Sequence, residues 1–188
     1  DQGPAGLALV TISPADDTQL TTINSNDASD FTHTGNEPAM RATGLGPAVG
    51  SPKPFTFLFA GIIDDAQITA ASPRIYAERI SGDGLIIFTQ DTNKIGFLWG
   101  GSTPLSKRAP NVITPGTAQV IAIRWDGTNN HSGVEIFIDG IEPTYSDQSD
   151  GISLGTSTLD ATVGALPDYS TGAETDMRVG RIQIIDGA

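Results

Sequence analysis

The chain has 188 residues, a length typical of one domain, and it contains no cysteine. The lack of cysteine excludes disulfides, cysteine zinc sites, iron–sulfur clusters and thiol catalysis. With 22 acidic and 10 basic side chains the net charge is −12, so we expect neither a nucleic-acid partner nor an anionic membrane surface.

Short runs of β-branched and aromatic residues, separated by Gly, Pro, Asn and Asp, predict strands along the whole chain. The 17 Asp against 5 Glu and 20 Ile against 11 Leu also favour turns and strands over helices. We therefore predict an all-β fold, a two-sheet antiparallel β-sandwich of jelly-roll type. The predicted strands cover residues 7–12, 19–23, 39–43, 55–63, 74–80, 85–90, 94–99, 119–125, 134–139, 158–163 and 177–185. Apolar runs fall well short of the ~20 residues of a membrane span, so no membrane insertion is expected.

The first residues are assigned separately from the sandwich. Residues 1–12 are either a first strand or a lead-in, and residues 13–188 form the sandwich domain. Gly3-Pro4-Ala5-Gly6 has glycine at a period of three, which is the collagen pattern and suggests the end of a collagen-like or fibre shaft. A flexible Gly/Pro terminus is the alternative. A shaft of this kind predicts a homotrimer.

Alternation assigns the faces of several strands. Trp125 shares a face with Ile121 and Ile123, which places its ring in the core. The polar segments 24–54 and 140–176 read as long loops poor in regular structure. Such loops are either binding surfaces or packing over the sandwich ends.

Two neighbouring strands carry a family resemblance. The strand of residues 120–125 ends at Asp126-Gly127, and the strand that begins at Val134 ends in Phe137-Ile138-Asp139-Gly140. This pair resembles the laminin-G-like domains of the concanavalin A-like lectin/glucanase superfamily. Residues 54–60 resemble the family's early central strand and residues 179–186 its closing strand. The resemblance implies a concanavalin A-like sandwich that often holds calcium at its loop edges.

The carboxylates give no glycosidase pattern. Enzymes of this superfamily that cut β-glucans carry a Glu-x-Asp-x-x-Glu cluster, which is absent from the sequence. Glu135 and Asp139 share a strand face but lie about 13 Å apart, whereas glycosidase carboxylate pairs lie about 5–9.5 Å apart. His131 and Ser132 are adjacent, so on a strand they would point to opposite faces, and we expect no nucleophile–base pair from them. We expect no enzyme and assign no catalytic residue, with Glu135 the acid to test under the alternative.

Two sets of side chains are candidates for binding. Asp-rich loops offer the several oxygens that calcium needs, and Asp126, Asn129, Asp147 and Asp150 are the predicted ligands. Solvated turn acids are the alternative. For a glycan, we predict aromatic stacking on Trp99, which precedes Gly100-Gly101, and on Tyr145 and Tyr169 in a long polar loop.

These features predict a non-catalytic recognition head, extracellular or on a virion surface. It would bind a glycan or another cell-surface ligand in adhesion, at the tip of a fibre. One alternative is a structural virion-surface, fibre or decoration protein that acts through self-assembly. The other is a polysaccharide-active enzyme.

Overall fold

The computed structural model describes the backbone and side chains of residues 49–64, 73–79, 82–91, 93–164 and 176–187, and the backbone alone of residues 10–11, 19–23, 26–31 and 40–41. Fifteen strands and one three-residue 3-10 helix lie within these residues. The strands are β1 (Val10–Thr11), β2 (Gln19–Ile23), β3 (Asn26–Phe31), β4 (Met40–Arg41), β5 (Phe55–Ile63), β6 (Arg74–Ala77), β7 (Gly84–Gln90), β8 (Lys94–Thr103), β9 (Leu105–Ala109), β10 (Ala118–Trp125), β11 (Val134–Ile138), β12 (Asp147–Ser149), β13 (Ile152–Leu154), β14 (Thr162–Val163) and β15 (Met177–Asp186).

The described strands form two antiparallel sheets. The larger has the order β1-β4-β14-β6-β7-β8-β9-β12, with β13 alongside the end of β8, and the smaller has the order β11-β10-β5-β15-β3-β2. The predicted all-β antiparallel sandwich is confirmed. None of the described residues forms a helix of the length and hydropathy needed to cross a membrane.

The core lies between the sheets and follows the predicted alternation. Phe55, Phe57 and Phe59 point inward from β5 and are almost fully buried. Trp125 is buried beside them, as predicted, with its ring centroid 5.8 Å from that of Phe55 and 4.8 Å from that of Trp99. Burial of these large side chains supplies the main driving force for packing one sheet on the other.

The two strands that carry the family resemblance are neighbours in the smaller sheet. Ile123 of β10 is opposite Ile136 of β11. Asp139 and Gly140 follow with φ of 51° and 82°, and positive φ at both central residues is what a two-residue type I′ hairpin turn requires. Strand β5 lies between β10 and β15, so the central and closing strands of the resemblance are also adjacent.

Several short strands lie outside the predicted set. Strands β12 and β13 in segment 140–176 and β3 in segment 24–54 were not predicted, whereas β4 and β14 fall within the predicted strands of residues 39–43 and 158–163. The residues of the unpredicted strands are few and many are polar, so alternation gives no signal, and pairing with a neighbouring strand orders them instead. Strand β1 pairs with β4 in the larger sheet, and residues 1–9 lie outside the described residues.

Candidate functional site

The outer face of the larger sheet carries a second apolar cluster, separate from the core. Leu85 and Ile87 of β7 point inward, so Ile86 and Phe88 point outward, where they pack with Ala77 and Leu98. Phe88 is only 3% exposed although it points away from the sandwich interior. Other side chains on this outer face must therefore cover the Phe88 ring.

One cross-strand row runs through Phe88. Register places five outward-facing residues side by side on strands β6, β7, β8, β9 and β12: Arg74, Phe88, Gly96, Arg108 and Asp147. We call this row the arginine face. The guanidinium carbons of Arg74 and Arg108 each lie 5.6 Å from the centroid of the Phe88 ring. Both contacts are within the range of cation–π attraction, which orients the two cations around one ring.

Gly96 makes this arrangement possible. It is the residue opposite Phe88, and the end of the Phe88 ring occupies the space where a Cβ of Gly96 would lie. The ring therefore extends over β8 towards β9, within reach of Arg108 on the far side. A larger residue in place of Gly96 would displace the ring from the position that the arginines contact.

The arginine face also holds polar atoms without protein partners. Arg108 Nη1 donates to Asp147 Oδ2 at 2.7 Å, yet its Nε is buried and has no hydrogen-bond partner among the described residues. The same holds for Oε1 of Gln90, which lies two residues from Phe88 on the same side of β7. Unpartnered buried polar atoms are rare in folded proteins and call for an explanation.

Neighbouring charges act on the arginines. Burial and, to a smaller extent, the positive charge of Arg79 together lower the pKa of Arg74 to about 10. Burial lowers the pKa of Arg79 too, while Asp83 opposes the shift. The protonated guanidiniums are thus held at some energetic cost, and an anion placed among them would reduce it.

Trp99 lies in the core, so its predicted role as a stacking surface was wrong. Its side chain is 0% exposed, and Nε1 donates to the carbonyl of Gly155 at 3.0 Å. The strand continues past Gly100 to Thr103, and Trp99 shares its inward face with Phe97. The ring therefore offers no face to a ligand.

Tyr145 is half-buried and closes the edge of β11 instead of presenting an open ring. Its hydroxyl accepts from the N–H of Ile136 at 3.0 Å and donates to Glu142 at 2.7 Å. Lys107 Nζ lies 3.9 Å from the ring centroid and donates to the carbonyl of Val134. One face of the Tyr145 ring is thus covered by an ammonium. The third predicted aromatic, Tyr169, lies outside the described residues.

The predicted calcium ligands have different partners in the structure. Asp147 belongs to the arginine face, through its ion pair with Arg108. Asp126 accepts from the N–H and hydroxyl of Thr128, within its own loop. In the described residues no three His, Cys, Asp or Glu side chains cluster as metal ligands would. A calcium site in these loops stays a prediction.

The remaining two predicted ligands meet where two loops join. Asp150 Oδ1 accepts from the backbone N–H of His131 and lies 2.7 Å from His131 Nδ1, and these contacts lower the pKa of Asp150. The carbonyl of Asn129 accepts from the N–H of Gly151 at 2.7 Å. The two contacts fasten the loop after β10 to the segment after β12.

The other carboxylates are engaged in structure. Glu135 pairs with Arg124 across β10 and β11, and Asp139 Oδ1 accepts from the N–H of Val120 at 2.8 Å. Glu78 is fully buried and accepts from the N–H of Val49, the N–H of Gly50 and the hydroxyl of Tyr76. These bonds tether loops to the sheets and strand to strand.

Comparison with known proteins gives the fold but no family. No protein-family model matches the sequence, and no curated protein matches it either. Laminin-G-like membership therefore stays a prediction.

Solved structures share the sandwich architecture at low sequence identity. Domain 4 of AbnA, a GH43 extracellular arabinanase from Geobacillus stearothermophilus, in complex with arabinotriose, is 15% identical with a TM-score of 0.65, over 93% of this chain and 77% of that one. The CBM40 of the Ruminococcus gnavus IT-sialidase, bound to α2,3-sialyllactose, is 13% identical with a TM-score of 0.55, over 73% of this chain and 77% of that one. A SAP-like pentraxin from Limulus polyphemus is 11% identical with a TM-score of 0.58, over 85% and 75%. These likenesses show a jelly-roll β-sandwich.

Proposed function

We propose that this chain is a non-catalytic carbohydrate-binding module whose glycan lies on the arginine face. The observation that carries the proposal is the row in which Arg74 and Arg108 stand around Phe88 on an outer sheet face. Two of the structures with this fold are glycan complexes, one with arabinotriose and one with sialyllactose, which supports the fold's suitability for the task. The residues of the face supply the chemistry.

Sugar hydroxyls both donate and accept hydrogen bonds, so a glycan site needs both kinds of protein group. Arg108 offers a guanidinium that is 28% exposed, and Gln90 offers a half-buried amide on the same side of β7 as Phe88. The backbone beneath is a continuous antiparallel sheet, which holds these groups at fixed spacing. A rigid base lowers the entropic cost of binding.

A binding role without catalysis fits the engagement of the acids. Glu78, Glu135 and Asp139 are all tied into the structure by hydrogen bonds or an ion pair. A glycosidase needs one carboxyl group as a proton donor and a second at a defined distance across the scissile bond. The described carboxylates hold loops and strands in place instead.

A single shallow glycan site binds weakly, so we propose that several copies act together, most simply as a trimer outside the cell or on a virion surface. Linked copies gain avidity through effective concentration without any new contact. The net charge of −12 on each copy opposes close packing of acidic surfaces, so the contacting faces between copies should be apolar. Light scattering of the parent protein tests the oligomer.

Titration calorimetry with a panel of neutral and acidic oligosaccharides tests the glycan site itself. Arg108→Gln removes a charged donor and should weaken binding by about tenfold or more. Arg124→Gln is the matched control, because Arg124 also pairs with one carboxylate across neighbouring strands but lies on the smaller sheet. Equal loss in the two variants, or a wild-type protein that binds no member of the panel, contradicts the proposal.

A further inference from the structure

The ion pair between Arg108 and Asp147 is the most exchangeable contact of the arginine face. Asp147 begins the three-residue strand β12, which pairs only with β9 among the described strands. Its side chain is 51% exposed, against 28% for Arg108. Exposed ion pairs contribute about 0–1 kcal/mol. A carboxylate from outside could therefore replace Asp147 on the guanidinium at little cost.

The second arginine makes the same place attractive to an anion. Arg74 and Arg108 are each 5.6 Å from the Phe88 centroid, so their guanidiniums lie within about twice that distance of each other. Asp147 is the acid paired with Arg108. An anionic group between the arginines would be attracted by both.

Resting on the proposed function, we infer that the glycan carries a carboxylate, as uronic or other acidic sugars do, and that this carboxylate takes the place of Asp147 on Arg108. Asp147 then occupies the carboxylate position on the Arg108 guanidinium while no ligand is bound. The planar fork of arginine matches a carboxylate in particular, and the Phe88 ring holds the guanidinium plane in position. The rest of the sugar lies over the face between Gln90 and Arg74.

Two pairs of oligosaccharides separate charge from shape. The probes are oligogalacturonate and the same oligomer after complete methyl esterification, and sialyllactose and its methyl ester. Esterification removes the charge and leaves the hydroxyls and ring intact. The wild-type chain should bind the acidic form of at least one pair about tenfold more tightly than the ester, since a charged hydrogen bond is lost in the ester.

Four variants locate the effect. Asp147→Asn should tighten binding of the acidic form by about fivefold, because the competing internal pair is worth up to ~1 kcal/mol. It should leave the ester unchanged. Arg108→Gln should abolish the preference for the acid. Glu135→Gln and Arg124→Gln make the same changes to an ion pair on the smaller sheet and should alter neither affinity.

The outcomes distinguish the inference from the proposal on which it rests. Equal binding of acid and ester overturns the carboxylate inference and leaves the glycan-binding proposal standing. Weaker binding of the acid by Asp147→Asn also overturns the inference, because Asp147 would then be a ligand contact and not a substitute for one. If neither form of either oligosaccharide binds but a neutral member of the calorimetry panel does, only the carboxylate inference is overturned, and if no member of the panel binds, both are.

Discussion

Replacing Tyr145 by phenylalanine should destabilise the domain by opening the free edge of β11. This strand ends the smaller sheet in the described part of the chain, so alternate backbone groups point away from β10. The three N–H groups are all bonded within the chain. Those of Val134, Ile136 and Ile138 donate to His131, Tyr145 and Ile141, and the carbonyls of Val134 and Ile138 accept from Lys107 and Ile141. An edge whose groups are satisfied in this way cannot pair with another chain.

The magnitude follows from what the substitution removes. Phenylalanine keeps the ring and its contact with Lys107, and only the hydroxyl is lost. The N–H of Ile136 then has no acceptor, and a donor left unsatisfied away from water costs about 1–3 kcal/mol. Because Tyr145 is only half-buried, water can partly replace its hydroxyl, and we expect about 1–2 kcal/mol. For a domain of this size the melting temperature should fall by about 2–8 °C.

Denaturant unfolding measures the free energy, and native-state hydrogen exchange reports the Ile136 amide directly. Glu142→Gln is the control, because its remaining carbonyl oxygen can still accept from the Tyr145 hydroxyl at the exposed end of the contact. It should stay within about 0.5 kcal/mol of wild type. An unchanged unfolding midpoint with undiminished protection of the Ile136 amide in Tyr145→Phe would refute this account of the edge.

Three further predictions follow. Gly96→Ala should displace the Phe88 ring, at a cost of about 1–3 kcal/mol, and should also weaken glycan binding, as unfolding and calorimetry would show. Burial raises the pKa values of Tyr76 and Tyr145, so the folded state keeps protons that the unfolded chain releases, and the contribution of these two tyrosines to stability should be lost as the pH rises above the ordinary tyrosine value of 10.0. Arg74, Arg79 and Lys107, whose pKa values burial lowers, act in the opposite sense, so the test is the absorbance of ionised tyrosine: two of the three tyrosines should ionise only with unfolding. If an Asp-rich loop binds calcium, millimolar calcium should raise the melting temperature and a chelator should reverse it; superimposable curves would count against the site.

The inward faces of the long strands could be predicted because alternation is a local property. Phe55, Phe57 and Phe59 repeat at a period of two, and the same pattern marks the face of Trp125. Each pattern is complete within one strand. It needs no knowledge of which strand lies beside it, and burial in the structure confirms it.

The position of Trp99 shows how a glycine can mislead. The Gly100-Gly101 pair indicates a turn on propensity, which placed Trp99 at a loop edge. In the structure Gly100 is opposite Gly84 within the sheet, and the carbonyl of Gly82 lies where a Cβ of Gly100 would be. The glycine is required by close backbone approach, not by a turn. Only the neighbouring strand distinguishes these two causes.

Only part of the arginine face could be predicted from the sequence, namely the positions whose register can be counted from a hairpin turn. The Asp91–Asn93 turn sets Gln90 opposite Lys94, and counting back from it places Phe88 opposite Gly96, so the ring over a glycine follows from one hairpin. Arg74 does not follow, because a bulge shifts the register between β6 and β7. The position of Arg108 cannot be counted in this way either, because Ser106, Lys107 and Arg108 are polar and the sequence gives no strand signal for β9.

The neighbour of Arg108 in sequence, Lys107, points to the opposite face and is buried beneath Tyr145, although two adjacent basic residues normally indicate a solvated surface. A site formed by a cross-strand row is therefore visible in sequence only as far as the register can be counted from a turn.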